Sequence, residues 1–398
     1  MSQSSEASWS AAPLNWPAVI MFALTIPLGL IVAPLYILAT DPSPWLYAWA
    51  FGLFWLTGIS ITAGYHRYWA HRSYRARAPL RWFLMLFGGM ALQNSILVWA
   101  SMHRVHHRHV DDTESDPYSI KRGFWFAHMG WMLRDYPSGD IDTSGARDLE
   151  SDPLVAFQHR YYVPLAVGMN LLVPGLIGAL HGDIIGGLLI AGALRLVLVH
   201  QITFFINSLA HYWGKRPFTR ANTARDNGVI ALLTFGEGYH NFHHLFQWDY
   251  RNGIRWWQFD PTKWLIAGAA RVGLASDLKR VPEFKIQRAL LETQLEHAQA
   301  RAETVELDED TRLAHLRRLL EQEADALRDT VSAWARCQQE RLQMARQELS
   351  HRWERSELSS RVHDLESSLA ASLREQRQRV GVVARQLARA AAGAKATA

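Results

Sequence analysis

Residues 103–112 read HRVHHRHVDD, with four histidines inside seven positions. Two other stretches carry the same residue type. HRYWAH holds His66 and His71, and HNFHH holds His240, His243 and His244. Neutral imidazole is a common ligand for iron, zinc and copper. Positions i, i+3 and i+4 share one helix face, so in HRVHH (His103, His106, His107) and HNFHH the first histidine aims where the other two aim. Adjacent residues stand about 100° apart on a helix, so His106 and His107, or His243 and His244, can diverge toward two neighbouring metals. Eight clustered histidines exceed what one metal needs, so a site for two metals is expected. The scattered histidines, such as His159, His181 and His200, are expected to be ordinary core or surface residues. The single cysteine, Cys337, excludes an intramolecular disulfide and any cysteine-based zinc or iron–sulfur site.

Such a site needs elements that bring three distant segments together. Four apolar runs supply a frame: residues 16–39, 44–63, 162–180 and 184–206. Each is close to the roughly 20 apolar residues that span a bilayer core. The linkers inside the two pairs, TDPSP and HGD, carry no Lys or Arg, whereas HRYWAHRSYRARAPLR and GKRPFTR follow the second and fourth runs. By the positive-inside rule both termini and the middle segment are cytoplasmic. The first run lacks the basic leader of a cleavable signal peptide. All three histidine clusters then fall on one side, at the ends of membrane helices. Arg195 lies inside the fourth run. A charge there costs about 2.5–3.5 kcal/mol, so it is expected to face the bundle interior. A fifth apolar stretch, residues 80–100, is interrupted by Gln93-Asn94-Ser95. If it crossed the membrane it would separate the first two histidine clusters, so it is read as interfacial or re-entrant.

The mean hydropathy of −0.11 averages two unlike parts. Residues 1 to about 280 hold the apolar runs and nearly all the tryptophan and proline; from Glu283 onward there is no proline. In the second part Leu313, Leu316, Leu320, Ala324, Leu327, Val331 and Trp334 form an a/d seam, and Leu358, Val362, Leu365, Leu369 and Leu373 a second. ELDEDT is expected to break the helix, with Asp310 or Thr311 as N-cap. A helical hairpin and an oligomerising coil are both open. The balanced charge of this tail argues against nucleic acid as a partner, although the net charge is +5.

The histidine boxes, their order and the four apolar runs resemble the membrane fatty-acid desaturases of the stearoyl-CoA (acyl-CoA Δ9) type, in a bacterial form. GISITAGYHRYWAHRSYRARAPLR, RGFWFAHMGWML, NSLAHYWGKRPF and GEGYHNFHHLFQWDYR carry the resemblance, which covers about residues 16–275. It implies a di-iron centre with a ninth histidine, His211. By position, His66, His71, His107 and His244 would hold one iron, with Asn207 reaching it through water. His103, His106, His211, His240 and His243 would hold the other. Asp112, Asp116 and Glu237 are candidates to orient the imidazoles from behind. The resemblance places Gln93, Trp99 and Thr203 at the bend of an acyl channel.

The implied activity is O2-dependent insertion of a cis double bond, at Δ9, into an acyl chain carried on CoA or on a membrane lipid. Ser101-Met102 and the acidic 135–152 segment depart from the residues that animal relatives use for CoA. No fused electron donor is visible, so electrons are expected from a ferredoxin-, rubredoxin- or cytochrome-type carrier with an NAD(P)H reductase. A membrane di-iron hydroxylase and a non-catalytic scaffold with coiled-coil output are the alternatives. The expected protein is thus all-α and integral to the cytoplasmic (inner) membrane. It has an N-terminal cytoplasmic segment (1–15), a membrane desaturase domain with a cytoplasmic helical di-iron cap (16–282), and a coiled-coil C-terminal region (283–398). The coil offers a surface for self-association or for a partner.

Overall fold

The structure, a computed structural model, describes residues 12–140, 143, 145–303, 312–346 and 352–396. It is mostly helical and divides into two compact units, one of residues 1–216 and 222–280 and the other of 217–221 and 281–398. In the first unit four helices are long and apolar enough to cross a membrane: α1 (Trp16–Thr40), α2 (Pro44–Ala70), α6 (Tyr162–Leu180) and α7 (Ile184–Tyr212). The protein is an integral membrane protein. Leu38, Phe51, Leu172 and Leu180 point outward from these helices, as lipid-facing side chains do.

The spans pack through small residues and one polar lock. A Cβ on Gly187 would lie 2.4 Å from the Pro174 carbonyl oxygen, so only glycine lets α6 and α7 approach this closely. Arg195 is fully buried and donates to Met90 O at 3.0 Å and Asn170 Oδ1 at 2.7 Å. It faces the interior, as its position in an apolar run requires. Leu46, Leu53, Met90, Ile177 and Ile190 fill the space between the spans.

Two spans run on beyond the apolar runs that predict them. α2 continues to Ala70 and α7 to Tyr212, carrying His66 and His211 past the expected helix ends. The fifth apolar stretch forms no span. It breaks into α3 (Ala78–Gly89) and α4 (Ile96–His109) around a turn in which Leu92 and Asn94 take positive φ. Ser95 caps α4 through its side chain, which accepts from Val98 N–H. α5 (Pro153–Arg160), α8 (Gly228–Leu233), α9 (His240–Leu245) and α10 (Pro261–Arg271) complete the principal helices of this unit. Two short strands, β1 (Arg75–Ala76) and β2 (Ala275–Ser276), pair antiparallel and tie the exit of α2 to the exit of α10. Beneath the spans, Tyr65, Trp69, Leu84, Ile96, Val155 and Ile266 form a continuous buried core.

In the second unit α11 (Glu283–Glu303), α12 (Arg312–Arg346) and α13 (Arg352–Ala396) share one apolar core. Leu316, Leu320 and Leu327 of the first seam and Leu373 of the second are buried in it, with Leu291, Leu295 and Val380. The seams are therefore used between helices of one chain. The predicted caps Asp310 and Thr311 lie outside the described residues, as do the side chains of Leu313 and Leu358.

Candidate metal centre

Local helix geometry positions the ligands. Through Ser60–Ala70, α2 winds with i to i+5 hydrogen bonds, and His71 N–H donates to His66 O at 3.0 Å. The HxxxxH spacing is therefore only slightly more than one turn of this wider helix, which brings the His66 and His71 rings to 4.7 Å, edge to face. Such π-type turns are frequent at functional sites. On an ordinary 3.6-residue helix, residues five apart would diverge.

The two HxxHH helices, α4 and α9, present their histidines as the 3.6-residue period dictates. The i, i+4 pair of each helix goes to one group and the i+3 residue to the other. One group is His66, His71, His103, His107 and His243; the second is His106, His211, His240 and His244. Within each group the ligand nitrogens lie within 4.8 Å of one another. Nine histidines thus converge as five and four. The grouping corrects the expected one at three positions: His103 and His243 join His66, and His244 joins His211. The reason is that i and i+4 stay closest to one azimuth on a helix, so His240 cannot separate from His244, nor His103 from His107.

Partners behind the rings fix their tautomers. His106 Nδ1 lies 2.8 Å from Asp116 Oδ1, and His66 Nδ1 lies 2.9 Å from Glu237 Oε2. Carboxylates only accept, so each Nδ1 carries the proton and each Nε2 turns its lone pair inward. His211 Nδ1 meets Thr223 Oγ1 at 2.8 Å, and that hydroxyl donates to Asp111 Oδ1 at 2.6 Å. The Thr223 oxygen must then accept from His211. Tyr118 Oη lies 3.2 Å from His103 Nδ1.

Expected residues behind the ligands divide. Asp116 and Glu237 sit there. Asp112 does not: its carboxylate accepts from Glu114 N–H at 2.8 Å and Ser115 N–H at 3.0 Å on an exposed turn. Its neighbour Asp111 is buried and takes the role through Thr223. The alternation of faces after α4 ends, where Asp111 adopts φ 68°, was not readable from composition.

The lone pairs meet at short range. His243 Nε2 lies 2.9 Å from His66 Nε2 and 3.0 Å from His107 Nε2, and His71 Nε2 lies 2.9 Å from His103 Nε2. In the second group His240 Nε2 lies 3.1 Å from His211 Nε2 and 3.0 Å from His244 Nε2. One ring nitrogen cannot serve two such contacts as donor. Two nitrogens bound at about 2.1 Å and at right angles on one cation would stand about 3.0 Å apart. The donor sets therefore fit metal ions. Burial first, and mutual repulsion among the rings second, hold His71, His103, His107, His240, His243 and His244 well below the usual imidazole range. All are neutral near pH 7, the form that ligates.

Arg67, between two histidines and without a signal of its own in the sequence, is with Arg195 the largest fully buried side chain among the described residues. It donates to Glu237 Oε1 at 2.8 Å and to Tyr250 O at 2.8 Å, and lies 3.0 Å from Asp260 Oδ1. Burial pushes the Glu237 carboxyl up, but His66 and Arg67 outweigh it and hold it down at about 2. Arg104 is tied to Asp148 at 2.8 Å and to Trp69 O at 2.8 Å.

Among the candidate substrate residues, Trp99 stacks on His103, with ring centroids 4.9 Å apart. Thr203 donates its hydroxyl to Val199 O at 2.8 Å. Gln93 leaves a buried Nε2 without a partner among the described residues. Asn207 is half-buried, four residues before His211.

Residues 40–275 match the family model for fatty acid desaturase. The chain is 48% identical over 237 residues to a probable acyl-CoA desaturase of Schizosaccharomyces pombe, covering 59% of this chain and 49% of the yeast protein. It is 48% identical over 236 residues to acyl-CoA desaturase 1 of Saccharomyces cerevisiae, covering 59% and 46%. It is 38% identical over 276 residues to stearoyl-CoA desaturase 4 of Mus musculus, covering 67% and 76%. The chain thus spans about half the length of the two yeast relatives.

Proposed function

Because this chain belongs to the fatty acid desaturase family, we propose that it is an O2-dependent acyl desaturase. It introduces a cis double bond, at Δ9, into a saturated acyl chain delivered as a CoA thioester. The observation that carries this reading is the convergence of nine buried histidines as five and four. We assign one iron to His66, His71, His103, His107 and His243, and the other to His106, His211, His240 and His244. Asn207, set by the resemblance beside the iron of His66, we assign instead to the smaller set through water, because it precedes His211 by four residues on the same span. When bound, the iron pair supplies two-electron activation of dioxygen; the protein supplies binding, orientation and exclusion of water.

The residues of this chain do the positioning. Glu237 and Asp116 hold the imidazole Nδ1–H groups so that the Nε2 lone pairs face inward. Arg67 keeps Glu237 ionised and in place. Trp99, stacked on His103, forms part of the wall that presents the middle of an acyl chain to the centre. Gln93 and Thr203 belong to the same bend. An acyl chain has no polar handle at its middle carbons, so the depth of an apolar channel selects the bond. Electrons come from a separate carrier protein with its reductase. The site and both termini face the cytoplasm, in line with the basic segments that follow α2 and α7. Residues 283–398 form an accessory helical domain.

Expression in a host that lacks unsaturated fatty acids, followed by lipid mass spectrometry, tests the reading. New cis monoenes are expected. Hydroxylated acids would make the protein a hydroxylase. No product, with iron bound and a working donor present, would leave a scaffold. Labelled acyl-CoA should be converted; conversion of labelled phospholipid alone would overturn the CoA assignment.

A further inference from the structure

α8 is a six-residue helix, GVIALL, capped by Asn227, whose side chain accepts from Val229 N–H and Ile230 N–H. Its Ile230 and Ala231 are buried, but Val229 is 57%, Leu232 57% and Leu233 49% exposed. Three large apolar side chains on one short helix face away from the protein. The segment just after α8 shows where they lie. Phe235, at φ 55°, packs its ring 5.0 Å from that of Trp55 and 5.5 Å from that of Phe54. A Cβ on Gly58 would lie 2.0 Å from the same ring, so the contact requires glycine there. Trp55 and Gly58 stand inside the apolar run of α2. At 1.5 Å per residue they are about 16 Å and 21 Å from Pro44, within a hydrocarbon core about 30 Å thick. α8 also packs on the Arg195–Asn207 stretch of α7, the other span that carries a ligand.

We infer that α8 and the turn after it dip into the bilayer on the metal-site side, with Val229, Leu232 and Leu233 in contact with lipid acyl chains. Irregular backbone at that depth is tolerated where its polar groups find partners within the protein, and several in this segment do. Thr234 N–H and Oγ1 both donate to Ile230 O, at 2.9 and 2.7 Å. Gly236 N–H donates to Ala231 O at 2.8 Å. Phe235 O accepts from Thr262 Oγ1 at 2.9 Å, and Thr262 is joined to Thr62 of α2 at 2.7 Å. The exposed apolar side chains of α8 thus stand beside a span that itself exposes Leu198 at 44%. Glu237 and His240 follow directly in the chain, so this anchor sets the third histidine box against the membrane.

The test uses the full chain in lipid nanodiscs, with Cys337→Ser removing the only native cysteine. An environment-sensitive fluorophore is attached at Leu232→Cys, and at the exposed Glu114→Cys for comparison. The Leu232 label is expected to emit at shorter wavelength, to be quenched by phospholipid spin-labelled high on its acyl chain, and to resist aqueous iodide. The Glu114 label should do the reverse. A Leu232 label that iodide quenches as strongly as the Glu114 label, with no effect of spin-labelled lipid, overturns the inference and leaves the face to a soluble partner. If Leu232→Cys misfolds, Val229→Cys gives the same comparison.

Discussion

His243 reaches across from α9 to touch rings from α2 and α4, so removing it breaks more than one contact. His243→Ala is expected to abolish product and lower the iron content, read by metal analysis; full activity without it would sink the metal assignment. Arg67 acts one layer back. Removing one partner of a buried, hydrogen-bonded ion pair costs about 3–5 kcal/mol. For Arg67→Met that corresponds to a fall in Tm on the order of 10 °C, with loss of metal, read by calorimetry and metal analysis. Asp226 makes the opposite bargain. Burial raises its carboxyl from 3.8 to about 7, against the pull of Phe242 and Asn241 N–H groups that it accepts at the start of α9. Because the folded pKa is the higher one, the folded state keeps a proton that the unfolded chain releases. The Asp226 contribution to stability is therefore present below about 3.8 and is lost as pH rises toward about 7. Asp226→Asn keeps the acceptor oxygen and removes this loss. Its Tm relative to the parent should rise between about pH 5 and about pH 8; an unchanged difference would show Asp226 ionised without cost.

Elements carry the next set of constraints. The π-type turn of α2 brings together histidines five apart, and the ordinary turns of α4 and α9 divide theirs between two groups. Both depend on where the helices sit, and Gly58 guards one such placement. Gly58→Ala would drive a methyl group into the Phe235 ring. Overpacking of this kind costs typically about 1–3 kcal/mol. Because Phe235 leads into Glu237 and His240, iron affinity should fall as well. Adding Phe235→Ala should restore part of both losses, since the two changes share one contact. Additive losses would show that the ring and the glycine act independently. The predicted tail helices are present, but their seams are buried against one another. Periodicity marks which face of a helix is apolar, not whether its cover comes from the same chain.

At the scale of the whole molecule the metal ions are expected to stabilise the fold, because buried ring nitrogens crowded within 4.8 Å of one another repel until a cation lies among them. Chelation should lower Tm, and added ferrous iron should restore it, as for any ligand that binds only the folded state. A Tm indifferent to iron would deny the site its metal. The second unit has its own core, Leu316, Leu320 and Leu373 among it. A chain ending at residue 282 should therefore retain iron and acyl desaturation; loss of both would make the tail part of the catalytic unit.

The chemistry and the membrane frame were legible from residue type and spacing. Histidine is the ligand, HxxHH is a helical spacing, and runs of about 20 apolar residues suit a bilayer. These are properties of local chain and composition, which neighbours do not change. The ninth histidine of the cluster, His211, carries no such spacing and entered only by resemblance. Which histidine joins which group was decided by tertiary structure, since one group draws on α2, α4 and α9 and the other on α4, α7 and α9. So were the Arg67–Glu237–Asp260 network, the exchange of Asp112 for Asp111, and the apolar face of α8. Each depends on partners far away in sequence, and burial, tautomer and membrane depth exist only once those partners meet.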